Sequence, residues 1–126
     1  MTTDEFVRKV QERLGMATEA EAMAASKSVL AATADRITQP EAKDLASQLP
    51  KELGDLVRGR GGPVQKMDAE TFIHRIQSDL DLANEEQASE VTQAVFSVLK
   101  EAVSEGEWED VVSQLPRELQ TMFVIS

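Results

Sequence analysis

The sequence predicts an all-α protein in which two tandem, pseudo-symmetric four-helix repeats, about eight short helices in total, pack on a shared core. Residues 6–57 align without a gap with residues 72–123, and 15 of the 52 aligned positions are identical, where chance would give about three. Apolar residues recur in both copies at helical spacings. Each half has under about 65 residues and would be marginal alone. We therefore expect residues 1–126 to form a single compact domain of repeat 1 (2–57), linker (58–67) and repeat 2 (68–123).

The first helix of each repeat is predicted from apolar residues at positions i, i+1, i+4 and i+8. These residues are Phe6, Val7, Val10 and Leu14 in repeat 1, and Phe72, Ile73, Ile76 and Leu80 in repeat 2. A turn at residues 15–17 or 81–83 leads into a longer second helix with apolar spacings of three and four. Its stripe is Ala22, Ala25, Val29 and Ala32 in repeat 1, and Ala88, Val91, Val95 and Val98 in repeat 2.

Two short amphipathic helices complete each repeat, and a proline separates them. The corner motifs are Gln48-Leu49-Pro50 and Gln114-Leu115-Pro116, within the identical string Ser-Gln-Leu-Pro-x-Glu-Leu. Proline cannot continue the third helix and is tolerated where the fourth begins. We interpret the motifs as structural corners whose glutamines bond free backbone groups at the corner; a docking peptide is the alternative.

Helix starts are predicted from residues whose side chains cap exposed backbone N–H groups. A Glu or Gln three residues after the cap can bond back to it and complete a capping box. The predicted pairs are Thr2–Glu5, Thr18–Glu21, Thr38–Glu41, Asn84–Gln87 and Ser104–Glu107, with Asp68 capping the first helix of repeat 2.

The formal net charge of −10 belongs to one half of the chain. Residues 1–66 carry ten Lys/Arg and ten Asp/Glu, whereas residues 67–126 carry three and thirteen. Such a field disfavours nucleic acid and anionic membranes and favours basic partners. There is no cysteine, no secretion-signal pattern and no apolar run long enough to span a bilayer, which leads us to expect a cytoplasmic protein.

The Gly-rich linker invites comparison with a phosphate-binding loop. It contains Arg58, Arg60 and three glycines, but it lacks both Gly-x-Gly-x-x-Gly after a strand and Gly-Lys-Ser/Thr. We interpret it as a connection between the repeats.

Candidate catalytic and metal-binding residues are few. His74 is the only histidine, and its equivalent in repeat 1 is Arg8. The acidic stretch 104–110 lacks the alternating ligands of a calcium loop, and its acids fall in the first turn of a helix, where the helix dipole favours them. We expect no catalytic residue, no cofactor, no metal and no enzymatic activity.

The sequence hypothesis for function is a protein-interaction or adaptor module, with a small-ligand or metal-binding carrier as the alternative. Trp108 replaces Ala42 of repeat 1 and lies among acidic residues, so it either fills a space between the repeats or marks an interaction surface. The partner would be a basic protein surface or the linker of a second copy. The candidate surface comprises Trp108, Glu105, Glu107, Glu109, Asp110, Arg58 and Arg60.

The repeated unit resembles a bacterial family known as domain of unknown function 2267. The resemblance rests on the Phe-initiated first helix, the small residues of the second and the closing Gln-Leu-Pro-x-Glu-Leu at 48–53 and 114–119. It covers nearly the whole chain and implies an all-helical, mostly bacterial cytosolic protein without an established activity or cofactor. The linker departs from the family pattern, because Gly61-Gly62-Pro63 stands where the family often has an aromatic passage.

Overall fold

The computed structural model describes residues 1–60 and 63–124, with the backbone alone for residues 123 and 124. These residues form eight α-helices and no strand, which confirms the predicted fold class. None of the eight helices is both long and apolar enough to cross a membrane. The helices are α1 (Thr3–Leu14), α2 (Glu19–Arg36), α3 (Gln39–Gln48), α4 (Lys51–Arg58), α5 (Ala69–Asp79), α6 (Glu85–Ala102), α7 (Glu105–Ser113) and α8 (Arg117–Val124).

The helix starts follow the predicted caps. All six N-cap side chains accept a hydrogen bond from the backbone N–H three residues later. At α1 the capping box is complete, because Glu5 also accepts from the backbone N–H of Thr2. The first and second helices join through equivalent left-handed residues, Gly15 (φ 62°) and Asp81 (φ 53°). Glycine adopts this conformation freely, and aspartate is among the few other residues that tolerate it.

The proline corners break the chain at the predicted place. α4 and α8 begin directly after Pro50 and Pro116, one residue later than a first-turn proline would require. Leu49 and Leu115 are buried at the two corners. Arg58, which the sequence assigned to the linker, is the last residue of α4.

The hydrophobic core contains residues from both repeats. Across the repeat boundary, α1 packs on α6, α5 packs on α2, α2 packs on α6, and α3 packs on α7. Phe6 and Phe72, which occupy equivalent positions, are both fully buried in this one cluster. Whether either repeat folds alone stays a prediction.

Reciprocal ion pairs connect the repeats. Lys9 of α1 lies 3.0 Å from Glu101 of α6, and the equivalent residues, Arg75 of α5 and Asp35 of α2, lie 2.8 Å apart. When residue i of one copy contacts residue j of the other and the reverse also holds, the copies are related by an approximate twofold axis. The repeats therefore have the pseudo-symmetric arrangement that the duplication predicts.

Candidate functional site

Two equivalent glutamates, Glu41 and Glu107, lie where α3 meets α7. Each occupies the third position of its helix, and each residue is more than nine-tenths buried, with 8% and 7% of its surface exposed. Carboxylates are seldom buried to this extent unless a cation or a donor accompanies them. Two of them at one interface make this the candidate functional site.

The local cause of this burial is an exchange of capping partners between the repeats. The sequence predicted that Glu41 and Glu107 would bond back to the N-caps Thr38 and Ser104. That prediction is wrong: the backbone N–H of Thr38 donates to Gln114 Oε1 (2.8 Å). Likewise, the backbone N–H of Ser104 donates to Gln48 Oε1 (2.7 Å). Because each N-cap N–H is taken by the other repeat, the two glutamates are released from their own caps.

The released carboxylates meet across the boundary. Oε1 of Glu41 and Oε2 of Glu107 are buried without a hydrogen-bond donor among the residues that the structure describes. Asp110 joins the two glutamates, because one oxygen of each of the three carboxylates lies within 4.8 Å of the other two. Asp110 is exposed, as is Asp44, its equivalent on α3. The arrangement is an oxygen-lined pair of buried carboxylates with acidic residues at its solvent side.

The electrostatics of this cluster are unfavourable for full ionisation. Burial raises the pKa of Glu107 to about 8, and the adjacent Glu41 carboxylate and the negative charges of Asp44 and Asp110 act in the same direction. Two carboxylates that face each other cannot both stay charged at low cost. The site can therefore hold a shared proton or a bound cation.

A second cluster of possible metal ligands consists of Glu70, His74 and Glu85, and all three are exposed. A hydrogen bond with Glu85 raises the pKa of His74. His74 and Glu85 therefore form an exposed surface ion pair.

Trp108 is buried, with 7% of its surface exposed. Its ring packs edge-on against Phe96, with centroids 6.0 Å apart. It also lines a cleft of about 630 Å³ together with Arg13 and Leu14 of repeat 1. Trp108 is therefore a buried residue beside a cleft that both repeats line.

The other candidate interaction residues fall into two groups. Glu105, Glu109 and Asp110 are exposed on α7. The two arginines are engaged within the chain: Arg58 pairs with Asp55 (3.1 Å), and Arg60 donates two bonds to Asp35 (2.9 and 2.7 Å). The structure thus brings Glu107 and Asp110 together and leaves the arginines elsewhere.

The sequence interpretation assumed that the corner glutamines bond backbone groups of their own corners. The structure contradicts this. Gln48 and Gln114 each cap the third helix of the other repeat. Proline and leucine of each motif are buried in the predicted structural role. The corners therefore connect the two repeats.

Sequence reasoning did not identify the carboxylate pair, although a signal was present. Glu41 and Glu107 are identical at equivalent positions, and so are Asp44 and Asp110. A site on the twofold axis uses equivalent residues of both repeats. Acidic residues that are identical in the two copies are therefore the sequence pattern that such a site predicts.

Comparison of the sequence with known proteins identifies a family. A family model described as "Uncharacterized conserved protein (DUF2267)" matches residues 3–122. No curated protein matches the chain.

Proposed function

The chain belongs to the DUF2267 family of uncharacterized conserved proteins, and from that premise we propose a non-enzymatic module that binds a basic protein surface. The contacting groups are exposed acidic residues of repeat 2, foremost Glu105 and Glu109 of α7. The family description assigns no activity.

The observation that carries this proposal is the placement of the acidic residues. Twelve of the thirteen Asp and Glu residues between 67 and 126 are exposed, the exception being Glu107. On α7 the exposed Glu105 and Glu109 stand where α3 has Gln39 and Lys43. A surface of one sign attracts partners of the other sign and repels nucleic acid and anionic lipid.

A basic surface of another protein is a better partner than the linker of a second copy. Self-association would use Arg58 and Arg60, and both already pair with carboxylates of their own chain. Releasing Arg60 would leave Asp35, whose side chain is only 6% exposed, with one fewer donor.

The absence of enzymatic activity is proposed from the supply of reactive groups. The sequence contains one histidine, no cysteine and no tyrosine. The histidine is exposed and paired with Glu85. Nucleophilic and acid–base mechanisms need an activated group held against a partner in a site that excludes water, and an exposed surface pair does not supply that.

The experiment is a binding titration with a lysine- and arginine-rich peptide, accompanied by a pull-down from native lysate. Both are run at about 0.1 M and about 1 M salt, because the Debye length falls from about 10 Å to about 3 Å. The test variant is Glu105→Gln/Glu109→Gln. The matched control, Glu12→Gln/Glu19→Gln, removes the same charge from exposed residues of repeat 1.

We expect binding at low salt that weakens at high salt and is reduced by the α7 variant more than by the control. Equal loss in the two variants would mean that net charge alone attracts the peptide. That result, or no binding at low salt, contradicts the proposal.

A further inference from the structure

Within the part of the chain that the structure describes, no positive group compensates the buried carboxylate pair. Among the described residues, no Lys, Arg or His forms an ion pair with Glu41, Glu107, Asp44 or Asp110. One oxygen of each buried glutamate also has no hydrogen-bond donor. Asp35, the comparable buried acid elsewhere in the fold, receives bonds from two arginines.

The helix ends compensate only in part. Glu41 and Glu107 lie in the first turns of α3 and α7, where the partial positive charge of the helix N-terminus favours a carboxylate. The backbone N–H groups of Glu41 and Glu107 bond to the side chains of Thr38 and Ser104. These two backbone donors are therefore not directed at the two unpartnered oxygens.

We propose that Glu41, Glu107 and Asp110 bind a hard divalent cation, with Ca²⁺ as the best-fitting ion. Their ligand oxygens lie within 4.8 Å of one another. Oxygens on opposite sides of a calcium ion are about 4.6–5.2 Å apart, because each lies about 2.3–2.6 Å from the metal. All three oxygens can thus contact one ion without movement of the helices. An all-carboxylate set selects a hard cation over a soft one.

The surroundings of the pair suit a partly hydrated ion. Asp110 and Asp44 are exposed, which leaves a route for entry and positions for water ligands. Calcium accepts six to eight oxygens in flexible geometry, so a few protein carboxylates with water complete its coordination. Asp44 is equivalent to Asp110 and supplies a fourth negative charge close to the site.

The proposed ion would bridge the repeats, because Glu41 comes from repeat 1 and Glu107 and Asp110 come from repeat 2. Binding to the folded chain alone raises its stability by mass action. A carboxylate must be deprotonated to bind metal, so binding should weaken as pH falls. This is the metal-binding alternative raised by the sequence, located at residues that the sequence did not single out.

The site is separate from Glu105 and Glu109, so the cation proposal and the interaction proposal can fail independently. The test is calorimetric titration of calcium chloride into chelator-treated, desalted full-length protein near neutral pH. Two buffers of different ionisation enthalpy report any proton released. The test variant is Glu107→Gln, which keeps the side-chain shape and can donate to Glu41. The control is Glu86→Gln, which removes one exposed charge from another helix of repeat 2.

We expect one ion per chain, release of a proton on binding and a rise in thermal unfolding temperature with calcium. We expect Glu107→Gln to weaken binding more than about tenfold and Glu86→Gln to change it little. If Glu107→Gln does not fold by circular dichroism, Asp110→Asn provides the same test at an exposed position. Absence of binding up to millimolar calcium, or equal weakening by the control, overturns the proposal and leaves a pair that shares only a proton.

Discussion

Gln48 of the first repeat completes a helix start of the second: its Oε1 accepts a hydrogen bond from the backbone N–H of Ser104 at 2.7 Å. The equivalent Gln114 bonds Thr38 at 2.8 Å. Each repeat therefore supplies a capping acceptor that the other lacks. The two bonds connect residues 56 and 76 positions apart in the chain, so they form only when the repeats have docked.

Replacing both corner glutamines should destabilise the docked structure. We expect Gln48→Ala/Gln114→Ala to lower the free energy of unfolding by about 1–3 kcal/mol, because two N-cap N–H groups lose their acceptors. Urea unfolding followed by circular dichroism measures the change. The control Gln93→Ala, at an exposed position of α6, should leave the midpoint nearly unchanged. A midpoint for the double variant equal to that of the control would contradict the capping role.

The two reciprocal ion pairs should differ in strength because they differ in burial. The side chain of Asp35 is 6% exposed and bonds both Arg60 and Arg75, whereas that of Glu101 is 42% exposed. We expect Asp35→Asn to cost about 1.5–3 kcal/mol, the range for hydrogen bonds to a charged group. We expect Glu101→Gln to cost about 0–1 kcal/mol. Denaturant midpoints of the two single variants measure which substitution costs more stability. Equal losses of stability would contradict the prediction.

The same carboxylate predicts the behaviour in acid. Burial works against the ionised form of Asp35, but the bonds from Arg60 and Arg75 prevail and lower its pKa. A lowered pKa contributes stability that is present above the pKa of the unfolded carboxyl and is lost as pH falls through the folded value. Asp35→Asn should therefore be less sensitive to pH below about 4 than the wild type.

Helix starts could be predicted from the sequence because capping is local. Thr38 and Glu41 are three residues apart, and the cap forms wherever that spacing precedes a helix. The position and contacts of the Glu41 carboxylate could not be predicted. It depends on whether the N–H of Thr38 is free, and Gln114, which occupies it, is 76 residues away. The candidate site was missed for this reason, since a non-local bond decides it.

Trp108 illustrates the same limit. Its replacement of Ala42 indicated a large change of side-chain volume at one position of the repeat. The neighbours could not be read from the spacing, because Arg13 and Leu14, which line the cleft with it, come from the other repeat. Contacts between the repeats depend on how the two repeats pack together. The helical periodicity within one repeat does not indicate that packing.

A fragment of residues 1–60 should not fold cooperatively. It keeps α1 to α4 but loses the packing of α1 on α6 and of α2 on α5 and α6. The free-energy cost of exposing that apolar surface exceeds the stabilisation that about 60 residues gain by burying apolar surface alone. Circular dichroism during thermal unfolding is the measurement. A sigmoidal transition for the fragment would mean that the repeats are independent domains, and mixing with residues 63–126 should restore helicity if they are not.

Without metal, the stability of the protein should fall as pH rises from about 4.5 to about 8. Burial raises the pKa of Glu107 to about 8, and an unfolded glutamate titrates near pH 4.3. Between these values the native state holds a proton that the unfolded chain has released, so each increase in pH favours unfolding. The contribution is complete below the unfolded pKa and is lost as pH passes the folded pKa.

The measurement is the urea midpoint in the presence of EDTA at about pH 5.5, 7 and 8.5, chosen to span this interval. Glu85 raises the pKa of His74, and a raised histidine pKa gives stability that is also lost with rising pH. The comparison is therefore made in a His74→Gln background. In this background, Glu107→Gln should remove most of the remaining dependence of the urea midpoint on pH. At pH 8.5 it should also unfold at a higher urea concentration than its parent, because the uncharged amide can donate a hydrogen bond to Glu41. If the parent midpoint does not change across this range, Glu107 does not hold a proton at neutral pH.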